Sequence, residues 1–266
     1  MSDRKIELLT QFGFKFGING THAARTMMLD DLSVLLAAVP HDALPEEYEF
    51  QVNHLNLLGK PTKKSRELAF RHLVTLYGLD PKLPLFRMFR RLWAADSQAH
   101  PVLALTIAIA RDPLLAGTQE FIFSKQEGQH VSREDLEGVL LLSHPDRFSA
   151  ASLRSFAQNV NGTWTFAGYL TGRNRKTRSK PFITPANVAM CLFIGHLQGM
   201  SGQRLFNSSW SKLLSESEHD LEALATAAYH RGLIVFLNAG GVKEVRFPEG
   251  LTVAEEEIRQ ELTHEL

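Results

Sequence analysis

Residues 217–248, SEHDLEALATAAYHRGLIVFLNAGGVKEVRFP, decide the fold class because they join a helical pattern to a hairpin pattern. The helical part ends at Gly232, and two β-rich runs, residues 233–237 and 242–247, flank the turn NAGG, which is a strong hairpin signal. Two more helical patterns precede this stretch. Three helices closed by a hairpin predict a winged helix over residues 185–248.

A second, more basic winged helix is predicted over residues 132–184. Its helix, SAASLRSFAQNVNGTWTFAGYL, combines an apolar face with outward hydrogen-bonding side chains, as a helix that reads a DNA groove requires. The loop TGRNRKTRSK that follows has the composition of a wing, because Gly172 and Asn174 can turn and the cations are free to contact phosphate. Ser132 and Asp135 resemble a capping box at the start of this unit.

The N-terminal part has the outline of a helix-turn-helix. A helix over residues 45–58 is followed by the turn GKP and by a helix that begins after the N-cap Thr62 and ends at Gly78. We also expect helices over residues 21–39 and 112–125.

Together these patterns predict a mainly α, multi-helical protein with a helix-turn-helix-like N-terminal domain and winged-helix units that carry short β-hairpin wings. The predicted domains are an N-terminal helical domain (1–128), a winged-helix region (129–248) and an acidic C-terminal tail (249–266).

Composition limits the class of protein. The chain has 266 residues, 44% hydrophobic and 22% charged, with no net charge, which is typical of a globular protein. Its single cysteine, Cys191, cannot form an intramolecular disulfide and lies in an apolar run. The N-terminus lacks a signal-peptide pattern, and the apolar runs are shorter than the ~20 residues that span a bilayer. We expect a cytoplasmic protein without a membrane partner.

The basic residues are concentrated in two segments. Residues 60–91 contain nine Lys or Arg against two acidic residues, and residues 147–180 contain seven against none. Cations that neutralise phosphates release counterions and give non-specific affinity of ~10⁻⁴ to 10⁻⁶ M, so we expect double-stranded DNA as the partner. The candidate nucleic-acid-binding residues are Lys63, Lys64, Arg66, Arg71, Arg154, Gln158, Arg173, Arg175, Lys176, Arg178 and Lys180.

Each of these assignments has a structural alternative. The basic loop of residues 173–180 could be a solvated linker, and the cations at the start of the helix after Thr62 oppose the helix dipole. We expect Trp164 and Phe166 to be core residues rather than base-stacking platforms. Arg87, Arg90 and Arg91 share a helix with aromatic residues and are expected to border its core face.

The C-terminal winged helix is predicted to have another role. The helix that would read bases opens with Glu218, Asp220 and Glu222, which would repel DNA. We therefore expect this unit to dock a protein or to be structural.

No catalytic motif occurs in the sequence. It contains no glycine-rich phosphate loop, no His-Glu-x-x-His motif, no cysteine pair and no Asp/Glu/His cluster with metal-ligand spacing. We therefore predict a non-enzymatic protein with no metal and no cofactor.

The order of these features resembles the BrxA family of bacterial BREX phage-defence systems. The resemblance depends on NLLGKPTKKSRELAFRHL (56–73), ARDPLL (110–115), SLRSFAQNVNGTWTFAGYLTG (152–172) and the winged helix with its preceding residues (214–248), and it covers most of the chain. It implies a small helical DNA-binding accessory protein, encoded beside a methyltransferase, a phosphatase-like protein and an ATPase. The acidic extension after Phe247 departs from the family pattern.

The sequence thus predicts a non-catalytic DNA-binding accessory protein of phage defence, with other BREX components as partners and with homo-oligomerisation left open. Two alternatives remain. One is a protein-interaction scaffold whose basic surface meets an acidic partner or the acidic tail of another copy of the chain. The other is a winged-helix transcriptional regulator, because the fold alone does not choose between these uses.

Overall fold

The computed structural model describes residues 1–145 and 147–263. The protein is mainly helical with two small antiparallel sheets, which confirms the predicted fold class. The helices and helical turns are α1 (Asp3–Gln11), a 3₁₀ turn (Thr21–Ala23), α2 (Leu29–Ala38), α3 (Pro45–Glu49), a π-helical turn (Phe50–His54), α4 (Lys63–Tyr77), α5 (Pro84–Ala95), a 3₁₀ turn (Ser97–Ala99), α6 (His100–Arg111), α7 (Pro113–Ala116), α8 (Gln119–Ser124), α9 (Arg133–Ser143), α10 (Ala150–Phe166), α11 (Pro185–Leu197), α12 (Gln203–Phe206), α13 (Ser209–Leu213), α14 (Glu218–His230) and α15 (Val253–Thr263). The strands are β1 (His130–Val131), β2 (Leu170–Thr171), β3 (Lys176–Arg178), β4 (Val235–Ala239) and β5 (Val242–Arg246).

The chain divides into two compact units, and each is built from separate stretches of sequence. Unit 1 consists of Met1–Phe14, Lys82–Thr106 and Phe182–Leu266, and unit 2 consists of Lys15–Pro81 and Ile107–Pro181. This division differs from the predicted boundaries at 128/129 and 248/249. The predicted N-terminal domain is shared between the units, and each winged helix lies in a different unit.

Unit 2 contains the basic winged helix in the order α8, β1, α9, α10, β2, β3. Its sheet has the strand order β1-β3-β2, and all pairs are antiparallel. The capping box predicted at Ser132 and Asp135 starts α9, with each residue's backbone N–H bonded to the other's side chain. The sequence did not predict β1, because two residues are too few to show an alternating pattern.

Unit 1 contains the second winged helix, formed by α11 to α14 and the hairpin β4-β5. The hairpin turn is Gly240-Gly241, between the paired residues Ala239 and Val242. Both glycines have positive φ, 59° and 84°, as a type I′ turn requires. The predicted single helix before α14 is instead two short helices, α12 and α13.

Two predicted helices are interrupted by residues with left-handed backbone conformation. The helix expected over residues 21–39 begins only at α2, because Met28 has a φ of 50°. The helix expected over residues 45–58 widens into the π-helical turn and ends before Asn56, which has a φ of 53°. A third, expected over residues 112–125, is split into α7 and α8.

The acidic tail forms a helix within unit 1. Residues of α15 contact α1, and Glu255 pairs with Arg87 at 2.6 Å, while Glu261 accepts a hydrogen bond from Arg4 at 2.8 Å. The tail carboxylates are therefore partners for cations of their own unit. Residues 264–266 of the predicted tail lie outside the described residues.

Within the described ranges, no single helix has both the length and the apolar composition needed to cross a bilayer; one bent pair, Ser97–Arg111 with Pro113–Ser124, meets those criteria jointly.

Candidate nucleic-acid interface

Helix α10 presents the polar face that the sequence predicts for a groove-reading helix. Ser149 caps the helix by accepting a hydrogen bond from the Ser152 backbone, and the apolar face, including Phe156 and Val160, is buried. Arg154 and Gln158 are exposed on the other side. Two of the predicted candidates therefore lie on an accessible helix face.

The two aromatic residues near the end of α10 behave differently. Trp164 is fully buried and donates its indole N–H to Thr118 Oγ1 at 3.1 Å, which agrees with the core role expected for it. Phe166 is 49% exposed, so the expectation that it is a core residue is wrong. The helix turns its side chain outward, onto the same face as Gln158 and Gly162, because residues four apart lie one above the other.

A buried network fixes the position of α10 within unit 2. His22 is fully buried; its Nδ1 lies 2.8 Å from Asp112 Oδ2, and its Nε2 lies 2.8 Å from Thr163 Oγ1 on α10. Thr163 Oγ1 also accepts a hydrogen bond from the Met27 backbone at 2.9 Å. Asn159 donates to the His22 carbonyl at 3.0 Å. The segment from residue 21 to residue 28 is therefore bonded directly to the candidate recognition helix.

Asp112 is held as a carboxylate at the centre of this network. Burial raises the pKa of Asp112, but hydrogen bonds from His22 and from the backbone outweigh it and leave the pKa below its ordinary value. The same carboxylate accepts hydrogen bonds from Leu114 and Leu115 N–H at the start of α7. A Cβ at Gly20 would lie 1.9 Å from Asp112 Oδ1, so only glycine allows this close approach.

The wing places two arginines in solvent. Arg173 and Arg175 are exposed, and neither side chain has a hydrogen-bonding or ion-pair partner among the described residues. The turn depends on Gly172, whose φ is 100° and where a Cβ would lie 2.1 Å from the Arg175 carbonyl oxygen. Lys176 is half-buried and donates to the Gly172 carbonyl at 2.6 Å, whereas Lys180 is exposed.

Arg178 is a correction to the predicted set. It is only 7% exposed, and its guanidinium donates to the carbonyls of Tyr169 and Ser179. The guanidinium also lies 5.3 Å from the ring centroids of Phe123 and Tyr169. Because β3 alternates its side chains between the two faces of the sheet, Arg178 points into the unit and holds the wing instead of contacting phosphate.

The N-terminal end of α4 carries the other predicted cations. Lys63, Lys64 and Arg71 are exposed, and Arg66 is half-buried with its Nε unpaired. Lys63 lies 3.8 Å from Glu67, a weak contact at the surface. The capping box of Thr62 and Ser65 stabilises the helix end that carries them.

Other cations of the first basic segment are used inside the protein. Lys60 pairs with Asp31 at 2.9 Å. Arg87 pairs with Glu255, and Arg91 donates to the carbonyls of Pro248 and Gly232. Arg90, on α5 with Arg87 and Arg91, is buried. These three arginines therefore have structural positions, which agrees with the expectation that they border the core face of their helix.

One face of α10 connects the wing to α4. At one end, Gln158 lines a cleft of about 500 Å³ with Arg173 and Lys176, here called the wing cleft. At the other end, Phe166 lines a cleft of about 360 Å³, here called the α4 cleft, with Arg25, with Ser65 of α4 and with the carboxylates of Asp30 and Asp31. Eight residues at 1.5 Å per residue separate the two ends by about 12 Å. Both predicted basic segments thus border the same helix.

Arg25 is a candidate that the sequence did not identify. It is exposed and lines the α4 cleft beside Phe166. Burial, with the cations of Arg25 and Arg71, lowers the pKa of His72 on α4. No local pattern could reveal this, because Arg25 stands alone between the first 3₁₀ turn and α2.

Cations form ion pairs in both units, including Lys60 with Asp31 and Arg133 with Glu134 in unit 2. In unit 1, six of them form ion pairs at 2.6 to 3.0 Å: Arg4 with Glu7, Arg87 with Glu255, Arg231 with Asp96, Lys243 with Glu218, Arg246 with Glu244 and Arg259 with Glu256. In unit 2, no carboxylate among residues 1–145 and 147–263 pairs with the following cations: Arg25, Lys64, Arg66, Arg71, Arg154, Arg173 and Arg175. The candidate interface therefore has positive charge that the described protein does not neutralise.

Comparison of the sequence with protein-family models and with curated proteins found no match. In the part of the chain that the structure describes, no group of three or more His, Cys, Asp or Glu side chains could hold a metal ion.

Proposed function

We propose that this protein is a non-catalytic accessory protein that binds double-stranded DNA through unit 2, with little sequence preference. The observation that carries the proposal is the set of cations around α10 that pair with no carboxylate among the described residues. Arg154 lies on the helix, Arg173 and Arg175 lie on the wing, Arg25 lies in the α4 cleft beside Phe166, and Arg71 is exposed on α4. A winged helix inserts its recognition helix into the major groove while flanking cations contact phosphate.

The cationic side chains outnumber the base-reading side chains on this surface. Gln158 and Ser155 are the exposed polar residues in the middle of α10, whereas the flanking residues are mainly arginine and lysine. Phosphate contacts give affinity without sequence information, so we expect a binding protein that tolerates many sequences. The sequence resemblance to the BrxA family supports a place for this activity in BREX phage defence, in the cytoplasm and beside other components of the system.

A protein-interaction scaffold is the second candidate, and the wing of unit 1 favours it. Lys243 on β5 is buried, lies 2.7 Å from Glu218 Oε1, and also contacts Glu222 on α14. Its ammonium group lies 4.7 Å from the Phe206 ring centroid. Lys243 is thus engaged internally by two carboxylates of α14, whereas Asp220 on the same helix is exposed and would repel DNA and suit a basic protein.

The test is a gel-shift titration of the full chain with a 20-base-pair duplex over a range of salt concentrations. If about five or six cations of unit 2 contact phosphate, the slope of log K against log salt is about −5. Binding that is absent at low salt, or that does not change with salt, would refute the DNA proposal and favour the scaffold.

A matched control comes from unit 1. Arg204 and Lys212 are exposed cations without described partners, on α12 and α13. Replacing both with alanine removes the same charge as a double substitution on the wing of unit 2, and we expect DNA affinity to stay within about twofold. The phage-defence role is tested separately, by comparing phage plating on cells that carry the defence system with and without this chain.

A further inference from the structure

The wing cleft is a concave site at one end of the exposed α10 face. It has a volume of about 500 Å³ and lies between α10, the start of α9 and the wing. Pockets for small ligands usually measure about 300–1,000 Å³, so the cleft is large enough for one nucleotide. Its walls carry Gln158 and Asn161 from α10, Arg173 and Lys176 from the wing, and the ion pair of Arg133 with Glu134 from α9.

Asn161 is the unusual residue of this cleft. It is only 7% exposed, and its side-chain Oδ1 is buried without a hydrogen-bond partner among the described residues. A buried amide oxygen without a partner costs about 1–3 kcal/mol, and buried polar groups in native proteins are nearly always bonded. Other polar residues of α10 have such partners: Thr163 bonds His22, and Asn159 bonds the His22 carbonyl. Asn161 therefore differs from its neighbours in a way that a ligand would explain.

The surrounding groups suit the two ends of a nucleotide. Asn161 and Gln158 are three residues apart on one helix, so their amides lie on adjacent positions of the same face. Asn and Gln amides combine a donor and an acceptor and match the N6 and N7 edge of adenine. Among the residues that the structure describes, Arg173 has no partner and Lys176 bonds only the Gly172 carbonyl, so both cations are suited to a phosphate.

The burial of Asn161 limits how a base could reach its amide. Because Asn161 is 7% exposed, the edge of a base that remains stacked in a duplex cannot reach its amide. A base can reach it only as a separate nucleotide or after leaving the helical stack. Extrusion is least costly at a mismatched or unpaired position, where stacking and pairing are already weakened.

We propose that the wing cleft binds a single adenine nucleotide, with Asn161 and Gln158 reading the base and with Arg173 and Lys176 binding its phosphate. For a nucleotide extruded from DNA, this inference rests on the proposed DNA-binding function. The feature of DNA that unit 2 would prefer is then an unpaired adenine. A free adenosine monophosphate has the same chemistry, and the experiment separates the two sources.

The experiment measures the affinity of the full chain for three duplexes of equal length: fully paired, with one unpaired adenine, and with one unpaired thymine. We expect the unpaired adenine to raise affinity about tenfold over both other duplexes, because one good amide-base pair discriminates by about that factor. A 2-aminopurine at the unpaired position reports extrusion through its fluorescence. Titration with adenosine monophosphate tests the free nucleotide. If it binds the cleft, it competes with the duplex that has the unpaired adenine.

The decisive variant is Asn161→Leu, which keeps the size of the side chain and removes the amide. Because Leu leaves no unpaired buried oxygen and favours a helix, the melting temperature should not fall. We expect this variant to lose the adenine preference and to bind the fully paired duplex within about twofold of the wild type.

Two results would overturn the cleft proposal while leaving DNA binding intact: equal affinity for all three duplexes, or an adenine preference that survives in Asn161→Leu. If no duplex binds at all, the proposed function itself fails, and binding of adenosine monophosphate alone would then assign the cleft to a free nucleotide.

Discussion

The three arginines of the unit 2 wing allow a test in which neighbouring substitutions have opposite effects. Arg173 and Arg175 are exposed and have no described partner, whereas Arg178 is 7% exposed and holds the wing. The double variant Arg173→Ala/Arg175→Ala should weaken DNA binding without affecting stability. The single variant Arg178→Ala should destabilise unit 2.

The magnitude for the double variant follows from counterion release. Each phosphate contact on B-DNA contributes about 0.9 to the slope of log K against log salt, so two lost contacts reduce the slope by about 1.8. If these two phosphate contacts contribute nothing to binding near 1 M salt, the same slope predicts about 60-fold weaker binding of the double variant at about 0.1 M salt. The free energy of unfolding should change by less than about 0.5 kcal/mol, because exposed side chains without partners contribute little.

The magnitude for Arg178→Ala follows from its contacts. The substitution leaves the Tyr169 and Ser179 carbonyls without this donor and removes a cation from the rings of Phe123 and Tyr169. Loss of such a buried group costs about 2–4 kcal/mol. Burial already lowers the pKa of Arg178, which is consistent with a guanidinium that gives up water for protein contacts.

Urea unfolding and salt-titrated gel shifts on the same preparations measure both quantities. A double variant that binds DNA as tightly as the wild type would refute the assignment of the wing to phosphate. A double variant that is strongly destabilised would show that Arg173 or Arg175 has a structural role, and an unchanged Arg178→Ala would refute the account of its burial.

Two further predictions concern the buried His22 and the half-buried His196. The substitution His22→Leu leaves Asp112 and Thr163 without their shared partner. We therefore expect the free energy of unfolding to fall by about 3 kcal/mol in urea unfolding, and DNA binding to weaken in gel shifts. An unchanged unfolding curve would contradict the role of this network. Burial and the Arg259 cation lower the pKa of His196 to about 4, so its contribution to stability is complete above pH 6.5 and is lost as the pH falls towards 4. Compared with the wild type, His196→Gln should lose less stability between pH 7 and pH 4.5, by up to about 3 kcal/mol, and an equal loss in both proteins would contradict this pKa.

Local signals predicted several of the elements around the candidate site. The N-cap Thr62 starts α4 where the sequence predicts it, α10 begins directly after Ser149, where the predicted helical pattern begins, and Gly240 and Gly241 form the predicted hairpin turn of the other unit. Caps and turns depend on residues within a few positions, so the sequence contains the whole of the information. The interruption at Met28 was missed because no local rule favours positive φ at methionine.

The amino-acid sequence by itself determined that this protein is mainly helical, that it has two wings and that one wing is basic. Only the tertiary structure decided which cations are available, since it buried Arg178, paired Arg87 with Glu255 and placed Arg25 in the α4 cleft. Helix and turn signals act over a few neighbouring residues. Burial and ion pairing depend on which distant segments pack together, and residues 168 positions apart can be hydrogen-bonded partners.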